Sequence, residues 1–191
     1  MGNCIVVVQF DLPKGADEKI KSIVKYMRPK IDDLESLFSS NAIFTARTKG
    51  VGSLSREKAV NYSVTGPNLR ASGVKWDLRK DEPYLGYDKF DFDIPTGSNG
   101  DSWDRYKVRI EEMRQSLRII EQATGGLPEG DPTAKVGRII KPEAGESYMR
   151  TEAPRGELGF YIVSDGSAYP CRMKIRSPSF CSVIAPSRSP L

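Results

Sequence analysis

The sequence predicts an α+β fold, a helical bundle with a long central helix plus a small antiparallel β-sheet near the C-terminus. Three observations predict it. Trp103, Tyr106, Ile110, Met113, Leu117 and Ile120 recur at alternating intervals of three and four, which is the period of one helical face. Ile20, Ile23, Val24, Met27, Ile31, Leu34, Leu37 and Phe38 recur in the same way. Residues 157–163 and 169–176 are short runs rich in apolar and β-branched residues, joined by Ser164-Asp165-Gly166-Ser167, and read as two strands.

Taken in order, Ile5 to Phe10 reads as a short buried strand, because β-branched residues run together without helical spacing. Asp11-Leu12-Pro13-Lys14-Gly15 breaks the chain. Pro29 lacks an N–H and crowds the preceding turn, so a kinked helix or two abutting ones are expected over 17–39. Residues 55–62 predict a short helix capped by Ser55. Residues 66–100, rich in Gly, Pro and Asp, carry few regular signals. The helix over 102–124 has Asp101 or Ser102 to accept from its first N–H groups and Gly125-Gly126 for a left-handed exit. Pro128, Gly130, Pro132, Gly137, Pro142 and Gly145 predict an extended connection over 125–147. On the second strand Arg172, Lys174 and Arg176 alternate with Cys171, Met173 and Ile175, giving one basic and one apolar face, with Cys171 as a small core residue. From Ser177 onward the Ser- and Pro-rich residues predict no packing element.

Composition narrows the chemistry. The chain has 191 residues, 38% hydrophobic and 28% charged, enough for a real core. It contains no histidine, which excludes a Ser-His-Asp triad, an HExxH zinc site or a His-based facial triad built from this chain. Cys4, Cys171 and Cys181 are too few for a four-thiolate cluster and form no CxxC pair. The net charge of +4 is spread among interleaved acids, which argues against nucleic acid as a partner. No apolar run approaches the roughly 18–20 residues that span a bilayer. Gly66, Gly73 and Gly86 lack the spacing of a phosphate cradle, so NAD binding by this chain is not expected.

Three segments carry more than secondary structure. Thr65-Gly66-Pro67-Asn68-Leu69-Arg70-Ala71-Ser72-Gly73 leads on to Trp76-Asp77-Leu78-Arg79-Lys80. Asp88-Lys89-Phe90-Asp91-Phe92-Asp93-Ile94-Pro95 leads on to Asp104-Arg105-Tyr106 and Arg109-Ile110-Glu111-Glu112-Met113. Glu152-Ala153-Pro154-Arg155-Gly156-Glu157-Leu158-Gly159 is followed by Ile175-Arg176-Ser177-Pro178-Ser179-Phe180. Together these closely resemble the D-type subunit of respiratory complex I, the NADH:quinone oxidoreductase, over roughly residues 9–180. That family is related to the [NiFe] hydrogenase large subunit, with which the Glu-Ala-Pro-Arg-Gly run looks shared.

The resemblance implies a partial D-type domain over 1–180, made of a helical bundle at about 16–124, an extended connection at 125–150 and a β-hairpin at 155–177. It further implies that both family termini are absent, among them the hairpin whose histidine and tyrosine hold the quinone headgroup, and a disordered tail at 181–191 is expected. By this resemblance the parent complex passes electrons from NADH through iron–sulfur clusters to quinone, coupled to proton translocation. This chain would be mainly scaffold, binding no cofactor itself and inactive alone. Its partners would be other complex I subunits, especially the adjacent iron–sulfur cluster subunit, at the cytoplasmic side of the membrane, or in the cytoplasm if unassembled. The rival readings are a non-catalytic truncated fragment or interaction module, and the equivalent subunit of a deazaflavin-dependent dehydrogenase or membrane-bound hydrogenase.

Arg155, Gly156 and Glu157 are the quinone-chamber candidates, with a structural ion pair in a tight turn as the competing account. Arg70, Lys75 and Arg79 are candidates for a subunit interface. A local salt-bridge network with Asp77, Asp81 and Glu82 is the favoured reading of that stretch.

Overall fold

The computed structural model describes residues 11–127, 130, 139 and 141–187, the side chains of 184–187 excepted. In chain order it holds helices α1 (Ala16–Ser39), α2 (Ala42–Thr48), α3 (Arg56–Asn61), α4 (Gly66–Ala71), α5 (Leu78–Asp81) and α6 (Ser102–Gly125). Strands β1 (Gly145–Ala153), β2 (Gly156–Ser164) and β3 (Arg172–Arg176) follow, and then helix α7 (Pro178–Ser187). The α+β architecture expected from the sequence is the one observed.

α6 is the central helix, and its seam faces α1. Ile110 and Leu117 are buried with Val24 and Ile31, and Ile20, Tyr106 and Met113 pack around them. Asp101 caps α6 by accepting from the Asp104 N–H at 2.8 Å, and its other oxygen accepts from the Gly50 N–H at 2.8 Å. The exit differs from expectation. Gly126 closes the helix at φ −115°, so the last turn ends without a left-handed residue. α6 is buried on a second side too, where Val108 is 3% exposed and Arg105 donates to the Gly52 and Gly100 carbonyls at 2.6 and 2.8 Å. A second apolar cluster, Leu54, Ala59, Val64 and Leu69, ties α3 and α4 together.

Pro29 does not end α1, which continues through it as one helix. The proline can be carried because Val24 and Ile31, on either side of it, anchor the helix on α6. Ser55 caps α3 as expected, accepting from the Lys58 N–H. α2, α4 and α5 arise where few regular signals stood. Each is started locally: Asn41 accepts from Ile43 and Phe44, Pro67 sits in the first turn of α4, and Asp77 accepts from Arg79.

The sheet has three antiparallel strands in the order β1-β2-β3. The expected extended connection over 125–150 becomes strand from Gly145, because its residues pair along all of β2, from Gly145 opposite Ser164 to Ala153 opposite Gly156. The hairpin expected at 155–177 is thus the second half of a larger meander. Cys171 is exposed and not in a core. The tail expected to be disordered from 181 is helical through Ser187, started by Pro178 in the first turn, where its fixed φ suits a helix. The strand read at 5–10 lies outside the described residues.

Candidate functional site

The chemistry gathers where α4, α5, α6 and the β1–β2 turn meet. Arg70 projects from α4 and is 2% exposed. Its Nε donates to Glu112 Oε1 of α6 at 2.6 Å, and its Nη1 donates to Glu152 Oε1 of β1 at 2.9 Å and to the Trp76 carbonyl at 2.9 Å. Asp77 Oδ2 lies 3.4 Å from Nη1. One guanidinium therefore joins two helices, a helix cap and a strand. Arg79 grips Asp77 in a two-pronged pair, Nε to Oδ1 at 2.9 Å and Nη2 to Oδ2 at 2.6 Å. The other Glu152 oxygen accepts from the Leu78 N–H at 3.5 Å, and the Glu152 N–H donates to the Tyr84 hydroxyl at 2.8 Å.

Arg70, Arg79, Glu112 and Glu152 line a cleft of about 460 Å³, which also takes in Tyr87, Arg109, Met113, Ser116 and Pro154. Three arginines (70, 79, 109) face three carboxylates (77, 112, 152), so the cluster is neutral when all are ionised. The carboxylates respond differently to burial. Desolvation pushes Glu112 and Glu152 above the ordinary carboxylate value, with Arg70 opposing it. Desolvation also pushes on Asp77, but the Arg79 hydrogen bonds and the nearby charges of Arg79 and Arg70 outweigh it and hold Asp77 below its ordinary value. Burial lowers Arg109, which is answered by the Asn68 side-chain oxygen at 2.9 Å rather than by a direct carboxylate contact.

A second network lies at the turn. Gly66 (φ +68°) and Gly156 (φ +123°) cross with their backbones in contact. A Cβ on Gly66 would strike the Gly156 Cα, and one on Gly156 would meet the Gly66 nitrogen at 2.8 Å and Thr65 Oγ1 at 2.6 Å. The Glu157 N–H donates to Thr65 Oγ1 at 3.0 Å. The Glu157 carboxylate is buried and takes Arg150 at 3.3 Å, the Tyr148 hydroxyl at 3.3 Å and Arg176 at 3.6 Å. Arg150 reaches on to Glu82.

The structure thus separates the three chamber candidates. Gly156 and Glu157 are buried and hold the turn, and Glu157 pairs with Arg150 and Arg176 rather than with its neighbour. Arg155 is exposed at the tip of the turn and makes no ion pair among the described residues. Of the interface candidates, Arg70 is buried at the centre of the network and is out of reach of a partner in this conformation. Arg79 is mostly enclosed against Asp77, and Lys75 is exposed. Glu112 stands in the Arg109-Ile110-Glu111-Glu112-Met113 run but is not singled out by it, since it lies among many charges on α6. Glu152 stands in the Glu-Ala-Pro-Arg-Gly run, and that position is the one signal pointing to it. Among the described residues no group of three or more acidic or thiol side chains could hold a metal ion. Cys171 lies exposed beside β3 and Cys181 on α7, and with only three thiols in the chain the donor set does not fit an iron–sulfur cluster.

The cluster is a buried, ion-paired junction of α4, α5, α6 and β1. The chain belongs to the family of the respiratory-chain NADH dehydrogenase 49 Kd subunit, matching it over residues 4–143 and 134–188. It is 53% identical over 174 residues to a D-type NADH-quinone oxidoreductase subunit of Solibacter usitatus, covering 91% of this chain and 47% of that protein. It is 54% and 55% identical over 174 residues to the corresponding D-type subunits of Bacillus mycoides and Bacillus anthracis, each with 91% of this chain and 48% of the relative covered. The chain spans about half the length of the curated relatives it matches.

Proposed function

We propose that this chain supplies part of a D-type subunit of an NADH:quinone oxidoreductase, the assembly that carries electrons from NADH through iron–sulfur clusters to quinone and couples this to proton translocation. The observation that carries it is the 53–55% identity to D-type subunits over 91% of the chain. In this reading the chain is scaffold for the quinone chamber and holds none of the redox groups. Its partners are the other subunits, first the iron–sulfur cluster subunit beside it, at the cytoplasmic side of the membrane. Among the described residues no helix is long and apolar enough to cross a membrane.

The Arg70 network supports the scaffold role, because its charges are spent on one another. Arg155, exposed at the tip of the turn and without an ion pair among the described residues, is the residue of this chain assigned to the chamber wall. The test is a chimera in which residues 11–176 of this chain replace the aligned stretch of the Solibacter usitatus subunit, assembled with the rest of that complex. The reading expects an intact complex with NADH:quinone reductase activity. It further expects Arg155→Met to assemble normally and lose about tenfold or more in rate, equivalent to about 1.4 kcal/mol of barrier. A folded chimera excluded from the complex overturns the scaffold role, and Arg155→Met that fails to assemble makes Arg155 purely structural.

A further inference from the structure

The sheet is inside out for a domain that stands alone. Cross-strand partners point to the same side of a sheet. Met149 opposite Phe160 opposite Ile175, with Ile162 opposite Met173, therefore form one continuous apolar face. The same register puts Arg150, Glu152, Glu157 and Arg176 together on the other face, and that charged face is the one turned to the helices. Glu152 meets Arg70, Arg150 meets Glu82, and Arg176 donates to the Ser63 carbonyl at 2.8 Å. The apolar face is left outside, from 36% exposed at Phe160 and Ile162 to 54% at Met173.

We infer that this apolar face is an internal docking surface of the full-length subunit type, covered by the polypeptide that D-type relatives carry outside the stretch aligned here. Two further observations commit the occupant to that polypeptide. The aligned stretch covers only 47–48% of the relatives' lengths, so those proteins carry about as many residues again outside it. The face is also a row of Met, Phe and Ile without a charged side chain, which suits a permanent interior rather than a surface that opens and closes. A second copy of the chain could lay the same apolar face on itself, and a mass measurement separates that case.

Cysteine accessibility tests this in the chimera described above, with the native cysteines changed to serine. Met173→Cys and Ile175→Cys should react readily with a maleimide in the chain alone. They should react at least tenfold more slowly in the full-length chimera. Lys174→Cys, on the opposite face, should react alike in both. Equal labelling of Met173→Cys in a folded chimera overturns the inference, as does a chimera that stays unfolded while the chain alone folds. Protection in the chain alone, with a dimer mass by light scattering, assigns the face to a second copy and overturns it too. Loss of reductase activity with the cysteines still protected would sink the proposed function and leave this inference standing.

Discussion

Removing the Arg70 guanidinium would strand Glu112 and Glu152 in a largely buried site, while Asp77 would keep its pair with Arg79. Arg70→Met should cost about 3–5 kcal/mol of stability at neutral pH, the range for breaking a buried ion pair from one side. Urea unfolding measures it, and the loss should shrink on acidification as the stranded carboxylates take up protons. Glu35 behaves differently. The hydrogen bonds from Lys107 and Arg114 hold its carboxyl below the ordinary value of 4.5. Because it binds its proton more weakly when folded, its stabilisation is complete above pH 4.5 and is lost as pH falls through the lowered value. Glu35→Gln should flatten the fall in stability measured between about pH 6 and pH 3. Gly156→Ala should cost about 3 kcal/mol or more, since it places a Cβ against the Gly66 backbone at a φ that alanine resists. At this scale the sequence was half legible. Glycine 156 and glutamate 152 stood in a recognisable run, but the partner of Arg70 on α6 lies 42 residues away and no local pattern could select Glu112 among its charged neighbours.

Elements were legible where periodicity was long. The α6 seam and the α1 pattern each run through most of a helix and were read to within a residue or two. Their contact is a true core, and Ile110→Ala should cost about 3 kcal/mol in urea unfolding. The short helices α2, α4 and α5 were hidden, because four to seven residues hold too few apolar positions to show a period, whereas the Ser55 cap made α3 legible. β1 was hidden for another reason. Its sequence, Gly-Glu-Ser-Tyr-Met-Arg-Thr-Glu-Ala, is polar and reads as a connection, yet it pairs in register because its inward side carries the ionic network. Pro29 left two alternatives open, a kinked helix or two abutting ones, and the chain takes a single helix that packing on α6 carries through the proline. Pro29→Ala returns a donor to the Lys25 carbonyl and should raise stability by about 2 kcal/mol.

For the whole molecule, most of the buried apolar residues fall into two clusters, Val24, Ile31, Ile110 and Leu117 between α1 and α6 and Leu54, Ala59, Val64 and Leu69 around α3 and α4, and the apolar part of the sheet is in neither. In the chain alone Met173→Ser and Ile175→Thr should change stability by less than about 0.5 kcal/mol, as exposed sites do. A loss of about 2 kcal/mol in urea unfolding of the isolated chain would mean that the face is already covered. This polarity was visible in the alternation of 171–176, but the sequence could not say which face turned inward. Cys171, expected as a small core residue, is exposed, because the charged face turns to the helices through the ion pair of Glu152 with Arg70.

The Gly66–Gly156 crossing has a mechanical consequence. Among the described residues, the hydrogen bonds between the helices α3–α5 or their loops and the sheet fall on Arg150, Glu152, Glu157 and Arg176, all at the end of the meander nearest that crossing. The strands therefore project from the helices like a beam clamped at one end. A load applied to the opposite end, around Gly145 and Ser164, is delivered as torque to the clamp, where Glu152 holds Arg70.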